Sequence, residues 1–112
     1  MDESILTSIK KLLGIAENYT NFDQDIIIHI NTVFMTLNQL GVGSGEVFRI
    51  EDEYAVWSDY VSEETNFDAI KTYIYLKVKL VFDPPLSSAV MEAIKASISE
   101  YEWRLNIQAE SN

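Results

Sequence analysis

His29 is the only histidine, and Asp25 lies one helical turn before it, so the two side chains could share a helix face and offer a nitrogen and an oxygen to a metal ion. A protein zinc site needs three or four such ligands. With no cysteine and no second histidine to complete a set, His29 reads as a residue at the rim of an apolar stripe, and no metal site is expected. Nucleophilic catalysis has no better support, because no serine sits in a Gly-x-Ser-x-Gly elbow. Gly41-x-Gly43-x-Gly45 lacks the lysine and the strand–turn–helix setting of a phosphate loop. Glu51 and Glu53 form a carboxylate pair of the kind glycosidases use, but in so acidic a chain they read as solvated surface. No catalytic residue and no cofactor are expected, and the chain is not read as an enzyme.

Surface chemistry is more informative. Phe48, Tyr54, Trp57 and Tyr60 gather in one segment without helical periodicity. Tyrosine and tryptophan on loops supply large contact areas at protein interfaces; equally, these rings could cap the open end of a small bundle. The stretch 46–68 holds eight acids, among them Glu51, Asp52 and Glu53, and a single base, Arg49. Eight Lys and Arg against eighteen Asp and Glu leave a net charge of −10, too little positive charge to grip phosphate backbones or anionic lipid. The absence of cysteine excludes disulfides and thiolate metal sites and fits an intracellular origin. No apolar run approaches the ~18 residues of a membrane span, and the start, Met-Asp-Glu-Ser, is unlike a secretory signal.

The elements that must position these residues are mainly helical. At 112 residues the chain is read as a single domain. Ile5, Ile9, Leu12 and Leu13 recur at helical spacing, predicting a helix over 4–13 with Lys10 and Lys11 on the opposite side and Gly14 as its stop. Thr20-Asn21-Phe22-Asp23 resembles a capping box ahead of a second helix, 22–40. Its stripe of Ile26, Ile27, Ile30, Val33, Phe34, Leu37 and Leu40 is wide enough to be buried on more than one side. Thr65-Asn66-Phe67-Asp68 repeats the same four residues, but the sequences that follow do not align, so each reads as an independent helix start. The third helix, 66–82, ends at Asp83-Pro84-Pro85 because proline cannot continue it. On it Tyr73 and Tyr75 point to opposite sides, leaving one of them for a partner. A fourth helix, 88–107, starts at Ser87 or Ser88 and carries a seam of Met91, Ile94, Ile98, Tyr101 and Leu105. Trp103 falls off that seam beside Glu102 and Arg104, either as a partner anchor or packed on the first helix. Between helices two and three, 42–62 reads as a short β-hairpin or an ordered loop. The expected fold is a bundle of three to four helices with this insertion.

Several features together carry a family resemblance. They are Leu12-Leu13-Gly14, Asp25-Ile26-Ile27-Ile28-His29-Ile30-Asn31, Leu40-Gly41-Val42-Gly43, and a hydrophobic-acidic stretch with Trp57. Tyr73-Ile74-Tyr75-Leu76-Lys77, Phe82-Asp83-Pro84-Pro85 and Glu102-Trp103-Arg104-Leu105 complete the set. The chain resembles, over nearly its whole length, the head–tail connector (adaptor, or head-completion) proteins of tailed phages of Gram-positive bacteria. The resemblance implies a structural virion protein at the head–tail junction, made in the host cytoplasm. It implies a homo-oligomeric ring, dodecameric in the virion though its isolated protomers can be monomeric. That ring sits under the portal, extends the DNA channel and binds a tail-side completion protein. DNA would pass without specific binding, an expectation that suits an acidic wall. On that reading Glu51, Asp52 and Glu53 approach the channel, and Phe48, Tyr54, Trp57, Tyr60, Trp103 and Arg104 are the candidates for partner contacts. The alternative is a small acidic helical adaptor, or a DNA-mimic inhibitor that binds a basic protein.

Overall fold

A computed structural model describes residues 1–43, 45–62 and 66–111. Among them are four α-helices, α1 (Ile5–Leu12), α2 (Asp23–Gln39), α3 (Phe67–Phe82) and α4 (Ser88–Ser111), with a 3-10 turn at Trp57–Asp59 between α2 and α3. The mainly helical bundle is the one the apolar spacing predicts. The inserted segment takes the ordered-loop form, with no β-hairpin among the described residues.

Local chemistry accounts for most helix ends. Ser4 caps α1 by accepting from the Thr7 amide at 3.1 Å. At its other end the Gly14 and Ile15 amides return to the carbonyls of Lys11 and Lys10, with Gly14 at φ +82°. This is a Schellman closure, in which glycine takes the left-handed position. The end of α2 repeats it: Gly41, at φ +90°, donates to Asn38 O, and Val42 donates to Leu37 O. α3 stops one residue before Asp83-Pro84. Ser87 caps α4, its hydroxyl accepting from the Val90 amide at 3.4 Å.

The capping box expected at Thr20 does not form. Phe22 occupies the N-cap position of α2 without a side-chain cap bond. The Asp23 carboxylate instead meets the Lys10 ammonium at 2.8 Å. Lys10, expected on the solvated side of its helix, is only 2% exposed. Its ammonium donates to the Glu17 and Tyr19 carbonyls at 3.0 and 2.8 Å. The α1–α2 connection wraps around the lysine and supplies the acceptors a buried cation requires. Of the second expected start, Thr65 lies outside the described residues, and Asn66 is the N-cap of α3 without a side-chain cap bond.

The core lies where the α2 stripe meets α3. Ile26, Ile30, Phe34 and Leu37 are buried with Ile70, Tyr73, Ile74 and Val78, while Ile5, Leu6 and Ile9 of α1 close one side. α4 packs on α3 through Ile98 and Leu105. The bond from Tyr73 Oη to Glu102 Oε2, 2.7 Å long, ties the two helices together. Burial and the neighbouring Glu102 carboxylate push the Tyr73 phenol well above its usual range. Tyr73 is buried and Tyr75 is half-buried against the core, so of the two rings only Tyr75 keeps surface that a partner could reach.

Candidate functional site

The surface divides into a loop face and two ends of the bundle. The loop segment is threaded back onto the N-terminus. Ile5 N donates to Ala55 O at 3.0 Å, Trp57 N to Glu3 O at 3.2 Å and Ser58 N to Met1 O at 2.8 Å, and Ser4 pairs with Val56 as a single antiparallel bridge. This pairing uses up the hydrogen bonds a local hairpin would have made between its own arms. On the other side, Asn31 of α2 pins the loop. Its amide donates to Ile50 O at 2.9 Å and accepts from Ile50 N at 2.8 Å. Nothing in the sequence spacing marks Asn31 for this role or points to its partner.

The expected interface aromatics separate into three groups. Trp57 is 0% exposed; its indole N–H donates to Ser8 Oγ at 2.7 Å and its ring packs edge-on against Phe67 at 5.5 Å. It is a core plug between α1 and α3, which corrects the reading of it as a partner anchor. The reason is its indole N–H: a buried tryptophan needs an acceptor, and Ser8, whose hydroxyl also donates to the Ser4 carbonyl, supplies one. Phe48 and Tyr60 are half-buried and form a triad with Phe34, at centroid separations of 4.7–5.1 Å. They cap one end of the bundle rather than stand out from it. Tyr54 stands out: it is 77% exposed.

Glu51, Asp52 and Glu53 are all exposed. They occupy a turn in which Asp52 Oδ1 accepts from the Tyr54 amide at 2.9 Å, so the acidic apex is set by an Asx turn instead of a hairpin tip. Trp103 is 65% exposed on α4, which removes the possibility that it packs on α1. Arg104, also exposed, pairs with Glu100 one turn earlier. His29 is half-buried, and among the described residues no three His, Asp or Glu side chains gather to hold a metal. Among those residues, too, no helix is long and apolar enough to cross a membrane.

Further features were not anticipated from the spacing. One end of the bundle carries an aromatic row, Tyr19–Phe22 at 5.6 Å and Phe22–Phe82 at 5.3 Å. Close by in the chain, Leu86 projects fully from the α3–α4 connection. A pocket of about 470 Å³ opens between the loop and the start of α3, with Val42, Val47, Phe48, Tyr60, Val61 and Ile70 on its apolar side and Glu46, Asp59, Ser62 and Asn66 on its polar side. The Tyr60 hydroxyl in that wall is shut off from solvent and has no hydrogen-bond partner; burial pushes its pKa up to about 12.

Compared with known proteins, the chain is matched over residues 5–112 by the family model described as "Phage connector protein". No curated protein and no solved structure matches it.

Proposed function

The chain belongs to the phage connector protein family, and from that premise we propose that it assembles as a ring under the portal, extends the DNA channel and presents a docking surface to a tail-side protein. Its role at the head–tail junction is structural. The observation that carries the proposal is the family match, which runs through all four helices and the loop between them.

Physical features support the finer assignments. The exposed turn Glu51-Asp52-Glu53 suits a channel wall, since carboxylates repel the phosphate backbone and leave DNA free to slide. The exposed Trp103, rimmed by the Arg104–Glu100 pair, has the make-up of an interface anchor, a large ring inside a polar border. On this reading Tyr54, Trp103 and Arg104 contact partners, the portal protein among them. Residues 1–112 act as one connector domain, and the protein's work is assembly without catalysis.

Size-exclusion chromatography with light scattering, on the protein alone and mixed with its portal protein, tests the reading. A closed ring, or a stoichiometric complex with the portal, is the expected result. A monomer that ignores the portal and instead captures a basic protein would overturn it in favour of an acidic mimic.

A further inference from the structure

We propose that successive copies of this chain join head to tail, the Pro84-Pro85-Leu86 segment of one copy seating in the Phe48–Tyr60 pocket of the next. The inference rests on the ring reading above and names the contact that would build it.

The two surfaces lie at opposite ends of the molecule. Phe82 meets Phe22 at the start of α2, so the α3–α4 connection sits at that end. The pocket takes in Asn66 and Ile70 at the start of α3, one helix length away, about 24 Å for sixteen residues. A knob at one end and a hole at the other make a heterologous contact. Repeated, such contacts give a ring when the rotation closes.

The chemistry of the two surfaces is complementary in three respects. Leu86 is 105% exposed, an apolar side chain with no cover from its own protomer, whereas the pocket offers Val42, Val47, Val61 and Ile70. Consecutive prolines hold an extended polyproline-like backbone that presents carbonyls without N–H groups. Aromatic-walled grooves receive such segments, and Phe48 and Tyr60 form such a wall. The Tyr60 hydroxyl is a donor without an acceptor. It is covered by the Gly43 turn, at ordinary contact distance, 3.7 Å from where a Cβ on Gly43 would stand, and the proposed seating moves that turn aside so that the hydroxyl meets a proline carbonyl. Charge agrees as well. The carboxylate beside the segment, Asp83, is paired with Lys79 at 3.6 Å, and the segment leads into the N-terminus of α4, whose first turn carries no acid, whereas the pocket rim carries Glu46 and Asp59. The positive end of the helix dipole therefore meets carboxylates.

The chain has no cysteine of its own, so a disulfide trap is clean. Leu86→Cys and Val47→Cys chains are mixed and oxidised, with Ile28→Cys as an exposed control on the flank of α2. Light scattering then follows self-association of wild type, Leu86→Asp and Tyr60→Phe. The expected outcome is selective cross-linking between the Leu86→Cys and Val47→Cys chains. Leu86→Asp should weaken association about ten- to a hundredfold at unchanged melting temperature. Tyr60→Phe should melt at a higher temperature than wild type and yet associate several-fold more weakly, a combination that a purely structural tyrosine does not produce. Selective cross-linking supports the contact even where the wild type remains monomeric by scattering. Rings that form without this cross-link, and equally well from Leu86→Asp, overturn the contact and leave the ring reading standing. No cross-link at millimolar protein overturns the contact too, and the portal-binding experiment then decides the ring reading separately.

Discussion

Replacing Asn31 by alanine should detach the loop from α2 while leaving the helices formed. The side chain makes two bonds to one residue, 2.9 Å to the Ile50 carbonyl and 2.8 Å from the Ile50 amide, and Ile50 is itself buried. Truncation leaves both backbone groups without partners. An orphaned buried polar group costs about 1–3 kcal/mol. Water reaching in from exposed Arg49 and Glu51 on either side lowers the sum, so about 2–4 kcal/mol is expected. That is a large part of the roughly 5–15 kcal/mol that holds a domain folded, and it corresponds to a fall in Tm of at least about 10 °C for a chain of this length. Urea titration gives the free energy, and hydrogen exchange at the Ile50 amide shows whether the loss is local. Asn31→Asp sharpens the test. It keeps an acceptor but loses the donor, and at neutral pH it sets a carboxylate against the Ile50 carbonyl. Its deficit relative to wild type should shrink towards pH 4, where the protonated acid donates again. A loss below about 0.5 kcal/mol for Asn31→Ala, with exchange at Ile50 unchanged, would refute the pinning argument.

Ile30, fully buried between α2 and α3, should lose about 2–5 kcal/mol on truncation to alanine, read by chemical denaturation. Reversing Glu51, Asp52 and Glu53 to lysine should cost under about 0.5 kcal/mol each because all three are exposed. The same variant should alter DNA retention or ejection in assembled particles, and normal packaging and ejection would remove the acids from the channel wall. Trp103→Ala should leave Tm unchanged while weakening portal binding; a destabilised protein that still binds would assign the ring to the fold. Tyr60 and Tyr73 both hold their protons more tightly than free phenols, Tyr60 to about pH 12. The unfolded chain releases these protons from about pH 10, so it binds fewer than the native state there. The stability tied to the Tyr60 shift is complete below pH 10 and is lost as pH rises through about 12. Thermal melts between pH 9 and 12 should show the fall, and Tyr60→Phe should flatten it.

What could be read from the sequence is what neighbouring residues decide among themselves. The α2 stripe, the stops at Gly14 and Gly41 and the break at Pro84 all rest on interactions within about four residues, and each appears in the structure close to its expected place. The family resemblance was legible too, because its short motifs are contiguous. Trp57, Lys10 and Asn31 were not legible in the same way. The partner of Trp57 is Ser8, 49 residues away, and that of Asn31 is Ile50, 19 away. Helical periodicity placed Lys10 opposite the apolar residues, but the α1–α2 connection folds over that side and brings Asp23 and two carbonyls to it. Of the two forms expected for 42–62, hairpin or ordered loop, the loop was selected for a related reason. Ala55-Val56-Trp57 has strand chemistry, and the chain's topology offered it the N-terminus as a pairing partner. Periodicity reports which face of an element is apolar; which element covers that face, and which polar group meets a buried donor, follows only once the helices have packed.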